Sequence, residues 1–513
     1  MTLLKACTAS VLILTAGIVS AQESRPESRP SLDEPLSLSL NDAVSLLLRN
    51  NLGLRSAVID EHIEETRVRE ALGAFDPTLY AQTNAGKRER LSPGLFPDPL
   101  NPTLFNTRII TSSEDSFDAV LGLRGKLATG ATYDASFSNF YQFRQGGGPF
   151  NPIWSSTGSL RLTQPLLRGA WSDYAEAEER AAVNRLAQAR QTLRGETARK
   201  IGDLETAYFD LVTAKEELVT KSRSLEVAEA LVAINRVKVD AGAFPPVEMT
   251  SAEAGRAARR SDVVTAEAKL QDAEDRLRRE LFTFESAGEW TVRLRPTEPL
   301  VVPVPSFLPV TEIVAVARQN EPRLLKSRLA AAQAEDDLEG RRSERRPKLD
   351  AVANANVTSL DDDGYQPWAS LFDRSENSLT WIIGLQFEVP LGNRAASARE
   401  TSAELLLTKA RIDLKNLEID VDYNVRKSLR DLEVARRLIA AREEAVRLAD
   451  QQVDVERIKL EAQTTTNLQV FEAEDQRNQR RTEYVSALVG YRLSLLGLAR
   501  ITGAPIEDLV VRP

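Results

Sequence analysis

Cysteine and histidine are almost missing from this sequence. The 513-residue chain has one of each, Cys7 and His62. An intrachain disulfide is therefore impossible, and Cys/His zinc sites and histidine-rich metal centres lack the ligands they need. A Ser-His-Asp or Cys-His centre would have to use His62 or Cys7. His62 lies in the polar helical stretch Glu61-His62-Ile63-Glu64-Glu65 and reads as a surface residue. A basic excess is lacking too. Lys plus Arg number 66 against 75 Asp plus Glu, a net charge of -9. That balance argues against nucleic acid as the main partner. Beyond the N-terminus no apolar run approaches the roughly 18 residues of a membrane-spanning helix. Gly146-Gly147-Gly148 has neither Walker nor dinucleotide spacing, and Asp361-Asp362-Asp363-Gly364 departs from an EF-hand loop and reads as an external loop. An enzyme is the least expected class, and no cofactor or metal is expected.

The first residues read as an address label. Lys5 precedes the apolar Val11-Leu12-Ile13-Leu14, and Val19-Ser20-Ala21 closes with small residues. This predicts a secretory signal peptide over 1–21, and Cys7 would leave with it. Residues 22–36 repeat Glu-Ser-Arg-Pro twice and read as a disordered linker.

The rest is written twice. Asn50, Leu54, Pro77 and Leu79 recur at one common offset as Asn320, Leu324, Pro347 and Leu349. Pro165-Leu166 recurs as Pro390-Leu391, and Ala252-Glu253 as Ala473-Glu474. The order of elements also repeats, so a tandem duplication is expected. The first repeat is placed at 37–295, with strands at about 77–166 and a helix hairpin at 170–284. The second is placed at 311–503, with strands at about 347–390 and a hairpin at 393–503. A Pro-rich linker, 296–310, lies between them, and 504–513 form a tail.

Long helices dominate. From Trp171 to Asp240 there is no proline and only Gly195 and Gly202; Asn393 to Glu461 has neither residue type. Each run of about 70 residues would extend roughly 105 Å at 1.5 Å per residue. Leu432, Ala435, Ile439, Arg442, Val446, Ala449, Val453, Glu456 and Leu460 follow in steps of three and four, a heptad seam broken by Arg442 and Glu456. Taken alone, these features describe a coiled-coil rod.

The strand segments do not fit a rod. Leu379, Trp381, Ile383, Leu385, Phe387 and Val389 alternate with mostly polar neighbours. Phe117 to Leu127, Trp154 to Gln164, and Ala351 to Val357 behave alike. Each segment is about ten residues, enough to cross a bilayer when tilted. Phe143, Trp154, Trp381 and Phe387 sit near strand ends, as an interfacial girdle does. An open sheet in lipid would leave backbone groups unpaired. Membrane-embedded strands therefore require a barrel shared in a ring of subunits, continued by the helices as a tube.

Several motifs carry a family resemblance. They are Leu40-Asn41-Asp42-Ala43-Val44 with Asn50-Asn51 and Leu54, then Phe75-Asp76-Pro77-Thr78-Leu79, and Leu162-Thr163-Gln164-Pro165-Leu166. In the second half they are Asn320-Glu321-Pro322-Arg323-Leu324, Pro347-Lys348-Leu349 and Val389-Pro390-Leu391. In this order and duplication the chain, from Leu40 onward, resembles the TolC-like outer-membrane efflux proteins of Gram-negative bacteria. The resemblance implies a mainly α fold with membrane β: tandem-duplicated long-helix hairpins forming a trimeric periplasmic α-barrel, plus a shared outer-membrane β-barrel. It implies a homotrimer seated in outer-membrane lipid. It also implies a periplasmic adaptor and an inner-membrane pump or ABC exporter as partners, with no nucleic acid.

The resemblance also points to residues. Acidic side chains on the helix after the second tip turn line the family's periplasmic aperture. Glu472 matches one such position, and Gln469 departs from another. A ring of Glu472 would attract cations; the bland alternative is a solvated helix face. The tip turns, with Gly242, Phe244 and Pro246 in one and Thr464, Thr465 and Thr466 in the other, are the adaptor-docking candidates. Plain turn chemistry explains the same residues.

The first repeat is longer than the second between its matching prolines. The excess fits an extra hairpin, Phe117 to Leu127 and Thr132 to Tyr141, with a long loop before it. Family members usually carry four strands per subunit. Here the expectation is six if that hairpin lies in the membrane, and four if it caps the outside. Arg341 to Arg346 reads as a solvated face or a phospholipid-headgroup contact. The function expected is a passive exit duct of a tripartite efflux or type I secretion system. A periplasmic coiled-coil structural or adaptor protein is the alternative, although an adaptor's lipoyl-like half-motif is not apparent.

Overall fold

The computed structural model describes residues 36–101, 103–145, 151–242, 245–285, 287–298, 306–361, 371, 377–462 and 464–510. The proposed signal peptide, Gly146-Gly147-Gly148, Phe244, residues 299–305 of the Pro-rich linker and the Asp362-Asp363-Gly364 segment lie outside the described residues.

Each repeat opens with two short helices, α1 (Leu40–Asn50) and α2 (Leu52–Leu72) in the first, α6 (Val310–Asn320) and α7 (Pro322–Arg345) in the second. The duplication reaches single atoms. Asn51 caps α2 by accepting from Leu54 N at 3.2 Å, and Glu321 caps α7 by accepting from Leu324 N at 2.6 Å. Both caps are buried, where an unmet helix N–H would be costly.

The helical hairpins follow from the Pro-free runs. The first pairs α4 (Ala177–Asp240) with α5 (Pro246–Leu281), and the second pairs α8 (Arg394–Glu461) with α9 (Asn467–Thr502). The first long helix does not begin at Trp171 as expected. A short α3 (Trp171–Ala175) ends at Glu176, and Trp171 itself has φ 68. The chain must turn sharply from strand to helix there, and that turn is held by Trp171 N donating to Thr129 O at 3.1 Å.

The heptad seam of α8 is its buried face. Leu432, Ile439 and Val453 are buried, and the seam residues between them are half-buried. Its two breaks are satisfied: Arg442 pairs with Glu483 of α9, and Glu456 with Lys459 and Thr465. Arg442 therefore keeps a charge in the seam without leaving it unpaired. One stretch of α9 is long and apolar enough to pass as a membrane span. Its apolar side chains Leu488, Tyr491, Leu495 and Leu498 are buried in the second helical core.

In the first repeat the ends of the chain are tied by a parallel pair, β1 (Leu36–Leu38) with β6 (Leu294–Pro296). The buried Tyr208 clamps it. Its hydroxyl donates to Leu38 O at 2.9 Å and accepts from Thr297 N and Glu298 N at 3.2 and 3.1 Å.

Both repeats feed one six-stranded antiparallel sheet. Its strands, in spatial order, are β2 (Thr78–Pro97), β3 (Phe105–Lys126), β4 (Thr132–Arg144), β5 (Ile153–Pro165), β7 (Lys348–Asp361) and β8 (Asn377–Glu388). The extra hairpin thus lies in the sheet, and the subunit has six strands side by side. The expected long loop before Phe117 is wrong. Among the described residues, those up to 97 and from 105 on are strand. Beyond the pair Glu114–Arg144 the ladder to β4 ends, with a last bond from Gln145 N to Ser113 O at 2.8 Å, and residues 105–112 pair with β2 alone. This two-stranded ribbon projects about 30 Å past the other strands at 3.4 Å per residue. It points away from the helices, which meet the opposite end of the sheet at the Thr129 turn.

Candidate functional site

The site is the surface of the sheet together with the hairpin tips. Residues paired across an antiparallel ladder share a face. Register therefore assigns the faces strand by strand. One row runs Leu79, Leu123, Ala135, Leu160, Ala355, Trp381, and the next runs Ala81, Leu121, Phe137, Gly158, Val357, Leu379. Leu349, Ala351, Ala353, Ile383, Leu385 and Phe387 continue the same face toward the helices. Between Phe387 and the row Phe117–Tyr141–Trp154 this face carries no Asp, Glu, Lys or Arg among the described residues. Charges resume at the rim, with Lys87 and Asp115. Leu385 is 71% and Trp381 68% exposed. Each such side chain left in water forfeits about 1.5–3 kcal/mol, so this is a lipid-facing surface.

The opposite face is polar. Its rows include Thr78, Arg124, Asp134, Arg161, Asn354 and, one step outward, Tyr80, Gly122, Ser136, Ser159, Asn356, Thr380. Tyr80 lies across Gly122, where an added Cβ would meet its ring at 2.4 Å, and its hydroxyl donates to Asp134 Oδ1 at 3.0 Å. One wet face and one apolar face per strand are what a water-filled membrane barrel needs.

The expected aromatic girdle is present at the outer rim. Tyr141 and Trp154 pack with centroids 4.6 Å apart, beside Phe117. Trp381 departs from the expectation. It sits inside the apolar band, where Ala355 opposite leaves room for it.

At the far ends of the helices lie the tips. Gly242 ends α4 with φ 71, a conformation that favours glycine, and Pro246 opens α5. Thr464 closes α8 by donating N–H and Oγ1 to Lys459 O at 2.9 and 3.1 Å. Thr465 Oγ1 bonds Glu456 Oε2 at 3.1 Å, and Thr466 is the N-cap position of α9. These threonines finish helix ends. Gln469 and Glu472 are exposed and line one shallow groove with Gln452, Glu456 and Lys459; Thr465 also bonds Gln469.

Sequence reasoning missed the contacts that join the two tips. Asn467, fully buried, donates from Nδ2 to Glu248 Oε2 at 2.7 Å. The Phe471 ring lies against Gly255, with the Arg259 guanidinium 5.0 Å from its centroid. Arg259 also pairs with Asp475 at 2.8 Å; within the second hairpin, Arg457 of α8 holds the fully buried Glu474 of α9 at 2.7 Å. Gly255 was the available signal, since a glycine inside a helix costs about 1 kcal/mol against alanine and invites a packing reason.

Higher on α4, burial pushes the Glu205 carboxyl up to about 7, partly opposed by Arg500. His62 is exposed on α2.

The fold has close structural likenesses. CusC, from a study of folding and transmembrane channel formation, superimposes with a TM-score of 0.64 at 13% identity, covering 95% of this chain and 100% of that one. The Campylobacter jejuni CmeC outer membrane channel gives 0.64 at 15% identity, covering 94% of each chain. The Vibrio cholerae outer membrane protein VceC gives 0.63 at 14%, covering 91% and 96%. No curated protein sequence matches the chain. The family description outer membrane efflux protein matches residues 127–281 and 313–504, one stretch in each repeat. The long-helix hairpins, the two-faced membrane sheet and these matches lead to one identification: the chain belongs to the outer membrane efflux protein family, a non-enzymatic channel protein of the outer membrane that extends into the periplasm.

Proposed function

We propose that three copies of this chain close one channel, the exit duct of a tripartite efflux or type I secretion system. The observation that carries the reading is the pair of free edges, β2 and β8, on a sheet whose one face suits lipid. Lipid does not tolerate unpaired strand edges. The edges are met when β2 of one copy pairs with β8 of the next. Six strands per copy then give eighteen in the ring. With strands about 4.8 Å apart and tilted about 40°, such a barrel is about 35 Å across between backbones. That leaves an aqueous lumen. The hairpins continue it through the periplasm. The tip turns, including Gly242, Pro246, Thr464, Thr465 and Thr466, present the surface to a periplasmic adaptor. An inner-membrane pump or exporter supplies the energy. Glu472 and the neutral Gln469 line the periplasmic aperture.

Planar-bilayer recording on the purified protein tests the duct. Discrete, ohmic single-channel steps support it. A protein that neither inserts nor conducts would favour the coiled-coil structural reading instead.

A further inference from the structure

Where the sheet meets the helices, on the side away from the projecting ribbon, the molecule concentrates arginine beside bare apolar surface. A cleft of about 570 Å³ lies between the end of β5, the end of β8 and the first turns of α8. Arg168, Arg394 and Arg399 line it, with Tyr174 and Leu391. Glu344 is the one acidic side chain in the lining. It is already held by Arg341 at 2.7 Å and Arg399 at 3.6 Å, so the cleft keeps a positive balance. A second cluster backs it, in which Arg345 and Arg342 share Glu400 at 2.8 and 3.8 Å.

The strand β8, one face of which belongs to the lipid-facing band, runs into this cleft through Pro390 and Leu391. Leu385, Phe387 and Val389 follow one another on one face of β8 and its extension, and Leu391 at the cleft is 98% exposed. Trp171, on the same short α3 as the cleft residue Tyr174, is 60% exposed. Guanidinium groups beyond the end of an apolar stripe, with Tyr174 among them, match the two halves of one amphiphile. A soluble anion would use the arginines and leave the stripe uncovered.

We propose that this cleft binds an anionic glycerophospholipid of the periplasmic leaflet. Its phosphate is held by Arg168, Arg394 and Arg399, and its acyl chains lie along Phe387 and Leu385. The proposal rests on the membrane placement of the sheet. It adds a specific lipid to a band that would otherwise take any hydrocarbon.

The test uses the full-length protein purified from detergent and exchanged into nanodiscs of phosphatidylcholine alone or with one-fifth phosphatidylglycerol. Native mass spectrometry of protein released from the discs counts retained lipid. Phosphatidylglycerol should be retained about tenfold over its share of the bilayer. Retention should fall severalfold in Arg168→Ser/Arg394→Ser and recover partly in Arg168→Lys/Arg394→Lys, which also guards against a variant that misfolds. Millimolar inorganic phosphate should leave retention unchanged. Equal retention of both lipids, or unchanged retention in the serine variant, would overturn the proposal. Displacement by inorganic phosphate would reduce the cleft to a simple anion site and overturn it too. A wild-type protein that fails to enter the discs would instead sink the membrane reading on which the proposal rests.

Discussion

Phe471 of α9 packs so closely on Gly255 of α5 that a Cβ at residue 255 would stand 2.5 Å from the ring edge. This contact ties the second hairpin's tip to the first, and Arg259 covers the ring. Replacing Gly255 by leucine must expel Phe471 and separate it from Arg259. Overpacking of this kind costs about 1–3 kcal/mol. The tip should loosen while the sheet stays intact. Hydrogen exchange of the amides in 467–476 should accelerate in Gly255→Leu, with the strands unchanged. Unaltered protection at the tip would show that the contact holds nothing together.

The assignment of faces predicts opposite tolerances at one level of the sheet. Ile383 is on the apolar face of β8, and Asn354 is on the polar face of β7 beside it, paired with Ile382. A lysine at Ile383 meets lipid, at a cost of about 2–4 kcal/mol near the bilayer midplane. A lysine at Asn354 meets water. Ile383→Lys should insert poorly into the outer membrane and Asn354→Lys normally, measured by heat-modifiable mobility of membrane fractions. Equal insertion would remove the basis for the lipid-facing assignment.

Glu205 predicts a pH dependence. Its folded pKa is raised from 4.5 to about 7, chiefly by burial. A raised carboxylate pKa means that the folded state holds more protons between these values, so stability falls as pH rises through that window. Below pH 4.5 the penalty is absent, and above 7 it is fully present. Partial exposure and Arg500 screen it to about 1–2 kcal/mol per chain. Glu205→Gln should therefore melt higher than the parent at pH 8 and with it at pH 4. A gain of the same size at both values would assign the effect to packing.

Much of this architecture is legible locally. The α8 seam is visible because Leu432, Ile439 and Val453 recur at the period of a packed helix, and β8 because apolar residues alternate from Leu379 to Phe387. Partners far along the chain leave no such trace. Nothing near Arg442 announces Glu483, and nothing near Phe471 announces Gly255. The β2–β3 ribbon was illegible for another reason. Outside the bilayer neither face must be apolar, so Lys87-Arg88-Glu89-Arg90 form strand without alternation, held by their ladder to β3. The tip threonines were visible as turn residues, but their bonds to Lys459 and Glu456 required coordinates.

Glu472 predicts an ion preference. It is exposed beside Gln469 in an open groove near the tip. Three copies around the aperture would make a negative ring that favours cations. Glu472→Ala should shift the reversal potential across a KCl gradient toward anions, while Gln469→Ala leaves it nearly unchanged. An unchanged potential in Glu472→Ala would place this carboxylate away from the ion path.

Closure of three six-stranded sheets into one barrel through β2 and β8 underlies the whole proposed duct. Electron cryomicroscopy of the protein in lipid nanodiscs counts those strands directly. The map should show three subunits around one lumen, eighteen strands in the membrane, and β2 of each copy hydrogen-bonded to β8 of its neighbour. Twelve strands in the membrane, another subunit number, or sheets whose β2 and β8 edges stay unpaired would contradict that closure.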